Sequence, residues 1–403
     1  MNTTFVAKEE LAIYGGKPIR DKLLPYGRQQ IDEEDIAAVA DTLRSDWLTT
    51  GPKVNEFEEA FAARVGAKYA VSFSSGTAAL HGAAFAAGIE TGDEAITSPL
   101  TFAATPNSVL YQGGRPVFAD IRPDTLNIDP EYAARCITSR TKAILPVDYA
   151  GHPADLDEIG QIAEHHGLTI IEDACHALGA EYRGSRVGSI SHMTIFSFHP
   201  VKHLTTGEGG MVTTDNPQFA NALRKFRNHG IGADAHERHA RGQWEYEMVL
   251  LGYNYRLTDI ACALGLRQLS KLEQNLQRRR QIAKTYSADL NGVPGILLPA
   301  VLDYVAPAWH LYSVQLDLQK MGANRAEIFR ALRAENIGVN VHYIPAHFHP
   351  YYRQRFGYHG GEFPVVEAAY ERLITLPLFH GMSEEDVEDV VSGVKKVMNC
   401  YTD

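Results

Sequence analysis

Cysteine is scarce here: Cys136, Cys175, Cys262 and Cys400 are the only four in a chain of 403 residues. They are widely scattered and form no CxxC pair, so reduced thiols are the simplest reading. Long apolar runs are missing too; none approaches the ~20 residues that span a bilayer. No basic block occurs and the formal net charge is −11, which argues against a general nucleic-acid binder. A small anionic ligand is not excluded, since a few local cations and backbone amides suffice to hold one. The opening stretch "MNTTFVAKEELAIYGG" lacks the basic-then-apolar layout of a signal peptide. Internal repeats and low-complexity segments are also absent. A soluble, cytoplasmic protein is the expectation.

What is present is ordinary globular material, 45% apolar and 22% charged. The length exceeds what one hydrophobic core usually serves, so two domains are expected. From about residue 30 helical patterns alternate with short apolar runs. "IDEEDIAAVADTLRS" has helical spacing with acids in its first turn, and "SSGTAALHGAAFAAG" and "DLDEIGQIAEHHG" also read as helices. Strands are expected at 69–73, 93–99, 115–121, 141–149 and 168–174, with "SHMTIFSF" and "GGMVTTD" as two more around a tight turn. This alternation predicts an α/β fold whose mostly parallel sheet is covered on both faces. After one long helix over 257–290 the texture changes. "HLYSVQL", "RAEIFRALRAENI", "VNVHYIP" and "SEEDVEDVVSGVKKVM" suggest a smaller α+β domain. The expected division is residues 1–270 and 271–403.

Three constellations carry chemistry. "SSGTAALHG" presents free amides and the positive end of a helix dipole, with Gly76 allowing close approach and Thr77 a hydroxyl; this suits a phosphate, although a plain Ser/Thr cap explains the same residues. "IIEDACHALGA" puts Asp173 at the carboxyl edge of a parallel strand, where open α/β sheets bind ligands; turn capping explains a lone Asp equally well. His176 is open to a structural reading in the same way. Lys202, between an apolar stretch and a bend with Gly207, Gly209 and Gly210, is a surface lysine taken alone. Taken together, a phosphate cradle, an acid for a pyridinium nitrogen and an amine able to form an imine are the three needs of pyridoxal phosphate (PLP). A metal reading of "HFHPYY" and "AEHHG" lacks a third ligand, so no metal is expected.

"FSFHPVKHLTTGEGGMVTTD", in the company of "LAIYGGKPIR", "WLTTGPKVNEFEEAFA", "SSGTAALH", "TFAAT", "IIEDACHALGA", "GYNYRLTDIACALGLRQL", "WHLYSVQL" and "VHYIPAH", closely resembles the DegT/DnrJ/EryC1/StrS family of PLP-dependent sugar aminotransferases. The likeness covers nearly the whole chain. It implies fold type I, with a large mostly parallel-sheet domain, an N-terminal segment lining the site, and a smaller C-terminal α+β domain. It further implies that Lys202 links covalently to the cofactor aldehyde, that Asp173 keeps the ring nitrogen protonated, and that Gly76, Thr77 and Ser197 hold the phosphate. Phe102 would stack on the ring, and Asn254 would reach a phosphate across a homodimer interface, so that sites are shared between subunits. His176 stands where many members have glutamine, near the phenolic oxygen. Tyr26, Trp47, Thr49, Arg227, His229, Tyr255, Arg256, His310 and Tyr312 are the candidate substrate contacts, with Arg227 and Arg256 the best matches to a diphosphate.

The implied reaction moves an amino group from L-glutamate to a nucleotide-linked 4-keto-6-deoxy sugar. The motifs look most like those of enzymes that make a UDP-linked, N-acetylated 4-amino sugar on the way to pseudaminic acid. GDP-perosamine-type, cyclitol and aminoshikimate-pathway transamination are alternatives, as is a non-catalytic, regulatory PLP-binding protein. No nucleic acid or membrane partner is expected.

Overall fold

The computed structural model describes residues 8–232 and 244–402. The seven strands read from the apolar runs all form, and they make one sheet in the order β1-β9-β8-β5-β4-β2-β3. In chain order these are β1 (Tyr69–Phe73), β2 (Glu94–Thr97), β3 (Arg115–Phe118), β4 (Thr141–Leu145) and β5 (Thr169–Asp173). A short hairpin follows, β6 (Glu181–Tyr182) and β7 (Ser185–Arg186), and then β8 (Met193–Ser197) and β9 (Gly210–Thr214). Several strands stop earlier than the apolar runs suggest, for a local reason. β4 ends at Leu145 because Pro146 has no N–H to give the ladder, and β2 ends just before Ser98 and Pro99.

β8, β5, β4, β2 and β3 run parallel, whereas β9 is antiparallel to both β8 and β1. β9 returns beside β8 because the connection carrying Lys202 is a compact bend rather than a crossover helix. Strand periodicity then sorts the side chains of β8. Ile195 faces the cluster that holds Leu80 and Leu223, while Phe196 joins Phe57 and Phe61 on the other face. Ring contacts of 5.1 Å (Phe61–Phe196) and 5.4 Å (Phe57–Phe198) fix that second layer.

The helix read over "IDEEDIAAVADTLRS" runs from Glu33 to Arg44, with Asp32 and Asp35 forming a reciprocal capping box. The long helix expected over 257–290 is two helices, Asp259–Ser270 and Leu272–Asp289, hinged at Lys271. The hinge has a visible cause. Gln268 donates to Asp35 at 2.8 Å and the Lys271 ammonium meets Asp35 at 2.8 Å and Asp32 at 2.7 Å, so both side chains converge on the buried Asp35 carboxylate.

The C-terminal part holds a second sheet, β10 (Ile296–Leu297), β12 (Tyr312–Leu316) and β13 (Leu373–Leu376), while β11 (Val305–Ala306) pairs with β6. "VNVHYIP" forms no strand; Asn340 makes one isolated bridge to Thr375. Helices Arg325–Ala334 and Glu384–Tyr401 enclose a core that also takes in Leu11 and Leu24. That N-terminal stretch is fastened by Glu335, a fully buried carboxylate accepting from the Ala12 and Ile19 amides at 2.9 and 3.0 Å and pairing with Lys396 at 2.9 Å.

Candidate active site

The carboxyl ends of the parallel strands open into a cavity of about 440 Å³, where open α/β sheets place their ligands. Asp173, the last residue of β5, projects into it while only 6% exposed. Thr105 donates to its Oδ2 at 2.6 Å and the Cys175 amide to its Oδ1 at 3.2 Å. Thr101, 2.7 Å from the Thr105 hydroxyl, extends the chain. The carboxylate is therefore aimed and its ionised form is served by donors.

β8 ends at Ser197, and the bend that follows brings Lys202 to the same cavity, its amide donating to the His199 carbonyl at 2.9 Å. Burial pushes the lysine amine below the ordinary lysine range, against the opposing charges of Cys175 and Asp173. Its Nζ lies 3.5 Å from His310 Nε2. A third wall is the start of the helix Gly76–Ala86, capped by Ser75, which accepts from the Ala78 amide at 3.1 Å. A Cβ on Gly76 would lie 2.9 Å from Ser197 Cβ, so the glycine is what lets β8 and the helix start approach. The first-turn amides there have no intrahelical acceptor, which makes the spot an anion cradle.

His176 is buried with Nε2 2.9 Å from the Tyr343 hydroxyl and a buried, unpartnered Nδ1. Burial, with Lys202 adding to it, holds this imidazole well below its usual range and so neutral. Phe102 stands at the rim, 61% exposed, its ring 6.0 Å from that of Tyr343. Helix-start amides for an anion, an aimed acid, a low-pKa amine and an exposed ring around one space form a donor set that fits PLP.

Among the substrate candidates, the structure brings Tyr26 and His310 to this cavity. Tyr312 does not reach it. That ring is fully buried in the C-terminal core against Tyr286, with its hydroxyl 2.8 Å from Ser287. Arg227 is engaged elsewhere, paired with Glu58 and donating to the Ser72 carbonyl at 2.7 Å. Arg256 donates to Asn228 at 2.7 Å, and burial with Arg227 nearby lowers its pKa. Tyr255 stacks on Tyr253 and faces His81 at 3.3 Å. Trp47, His229 and Asn254 are exposed outside the cavity, and Thr49 bridges to Thr258.

Thr105, Tyr343 and His342 belong to the site and were not singled out from the sequence. Thr105 had a faint signal, a threonine four residues after Thr101 at a helix start. Tyr343 and His342 sit in a quoted motif, but only tertiary contact shows which way they face.

Fold and site together define a fold-type I, PLP-dependent aminotransferase. The DegT/DnrJ/EryC1/StrS aminotransferase family is matched over residues 29–395, and the chain belongs to it. The spore coat polysaccharide biosynthesis protein SpsC of Bacillus subtilis is 46% identical over 381 residues, covering 94% of this chain and 98% of SpsC. Among solved structures, Spr1654 of Streptococcus pneumoniae in its PMP form is 34% identical with a TM-score of 0.88, covering 93% of this chain and 99% of its own. PseC of Helicobacter pylori, an aminotransferase involved in the biosynthesis of pseudoaminic acid, is 33% identical with a TM-score of 0.87, covering 94% and 99%.

Proposed function

We propose that this aminotransferase transfers an amino group from L-glutamate to a nucleotide-linked 4-keto-6-deoxy sugar, with a UDP-linked, N-acetylated sugar on the pseudaminic acid route as the leading substrate. One observation carries the amino-transfer chemistry: Lys202, Asp173, Ser197 and the Gly76–Thr77 helix start all line one cavity. The likeness to PseC and SpsC supports the sugar. Bound PLP supplies an electron sink for the charge left when the donor's α-proton departs.

The chain's own residues then divide the work. Asp173, fixed by Thr105 and the Cys175 amide, would pair with the ring nitrogen. Gly76, Thr77 and Ser197 would hold the phosphate. Lys202 would supply the amine that holds the cofactor aldehyde and moves the donor's α-proton, as general base and then as general acid. His176, neutral and with a free Nδ1, would face the cofactor's oxygen edge. Phe102 would cover the ring, and Tyr26 and His310 line the space left for substrate.

Asn254, exposed on the segment that bridges to Asn228, is suited to reach a phosphate in a second copy, so a homodimer with shared sites is part of the reading. So is a division into a large domain, 1–270, and a small one, 271–403, whose core also receives Leu11 and Leu24 from the N-terminal stretch. No helix of the described residues is long and apolar enough to cross a membrane.

The test mixes the pyridoxamine-phosphate form of the protein with UDP-, GDP- and dTDP-4-keto sugars and identifies the amino sugar by mass spectrometry and NMR. Amination of the UDP-linked N-acetylated ketone is expected. Preference for a GDP-linked ketone, a cyclitol or an aminoshikimate-type ketone would overturn the substrate.

A further inference from the structure

Arg279, on the helix Leu272–Asp289, is 1% exposed. Among the described residues no carboxylate lies within ion-pair distance of it, and its Nε is unpartnered. A buried cation without a counter-charge is expensive, and an apolar side chain would pack there with less penalty. What the guanidinium does make is a carbonyl grip. Its Nη1 donates to Trp309 O at 3.2 Å, His310 O at 3.3 Å and Leu378 O at 3.1 Å.

The turn so gripped is strained. Trp309 adopts φ +52°, a left-handed conformation that a bulky residue seldom takes and that persists only when its surroundings impose it. The opposite side of the turn is held as well. The Ala308 amide donates to Gly151 O at 2.9 Å, the Leu311 amide donates to Ala150 O at 3.2 Å, and a Cβ on Gly151 would lie 3.0 Å from the His310 amide nitrogen. Between these two holds the His310 ring lies within 3.5 Å of Lys202 Nζ and 4.4 Å of the His176 ring.

We propose that Arg279 is a positioning residue for Lys202: by gripping the carbonyls of Trp309 and His310 it holds the His310 ring as the wall that screens one side of the lysine amine, the other side opening on the cavity. This rests on the reading of Lys202 as the reactive amine. The other groups facing that amine are Asp173 at the end of β5, Cys175 and His176 just beyond it, His203 on its own bend, and His342 from the C-terminal part. Asp173 and Cys175 favour the charged amine, while Arg279, with His203 and His380 around it, does not.

The experiment reads the pH dependence of Lys202 acetylation by acetic anhydride in the full-length protein freed of cofactor, using mass spectrometry of the Lys202 peptide and exposed Lys142 as internal reference. In the wild type the midpoint lies below that of Lys142. Arg279→Met is expected to raise it by about one pH unit, equal to about tenfold less reaction at a fixed pH below the midpoint. Arg279→Lys keeps a cation but not the guanidinium nitrogen that sits within reach of the Trp309, His310 and Leu378 carbonyls together. A rise is still expected, smaller than that of Arg279→Met, which also removes a charge that disfavours the protonated amine. His310→Ala should match the Arg279→Lys rise, and Arg279→Lys with His310→Ala should add nothing further. A wild-type midpoint in Arg279→Lys, or additive shifts in the double variant, would overturn the proposal. If neither Arg279 variant folds, His310→Ala decides: an unmoved midpoint rejects the wall. Because no cofactor takes part, a protein that failed to bind PLP would sink the functional reading and leave this measurement standing.

Discussion

Lys202 and Asp173, the pair proposed to divide the chemistry, are an amine that burial keeps below its ordinary range and a carboxylate whose oxygens are already aimed. Lys202→Ala is expected to lower turnover by about 10³-fold or more and to abolish the visible absorption of the reconstituted protein, with the circular dichroism spectrum and urea midpoint retained. Turnover near the wild-type rate in that variant would refute the assignment. Beneath Asp173 sits a second acid, Asp148, fully buried, which accepts from the Ala154 amide at 2.9 Å. Burial and the neighbouring Glu172 charge raise its pKa well above the carboxylate range. Because the folded value exceeds the unfolded one, its stabilising contribution is complete below the unfolded pKa and is lost as pH rises toward the folded pKa. Asp148→Asn needs no proton, so its melting temperature relative to wild type should climb between pH 4.5 and pH 8; a flat difference would show that Asp148 is ionised in the fold. The positions of Lys202 and Asp173 at the cavity were legible in the sequence because each stands beside a recognisable strand end. Those of Thr105 and Tyr343 were not, since their partners lie far along the chain.

At the scale of elements, the helix start at Gly76 and the end of β8 share a space that only a missing Cβ leaves open. Gly76→Ala should therefore move the helix start away from Ser197 and weaken PLP binding by about tenfold, as loss of a good anion cradle implies. Equilibrium titration of the cofactor would measure the loss; an unchanged affinity would mean that the helix start tolerates the methyl group. The sheet was legible for a related reason. Strands buried on both faces read as continuous apolar runs, and their ends fall where proline or polar residues interrupt the ladder. The hinge at Lys271 was hidden, because no proline or glycine marks it and its cause is the distant Asp35. "VNVHYIP" alternates like a strand, yet it spends its polar groups on the site, with Tyr343 on His176 and His342 Nδ1 3.0 Å from Thr375.

At the scale of the whole molecule, a set of buried histidines is kept neutral by burial. His81, His342 and His380 are each pushed down to about 4. For a base depressed in the folded state, the unfolded chain binds more protons between the two pKa values, so stability rises with pH across that window. The urea midpoint should therefore fall as pH drops from about 6.5 to about 4, and His380→Gln should flatten the slope; an unchanged slope would mean that His380 is solvated in the fold. The second sheet was foreseeable from the change in texture after residue 290. The seat of the N-terminal stretch was not. Leu11 and Leu24 look like any apolar residues until Glu335 and Ile337 are placed beside them.

That seat has a consequence for biosynthesis. Glu335 grips amides near the beginning of the chain while Lys396, near its end, neutralises the same carboxylate. A nascent polypeptide must keep Leu11 and Leu24 undocked until Glu335, 323 positions beyond Ala12, has been released. Closing so long a loop is entropically slow, which leaves those apolar residues open to chaperones in the interval.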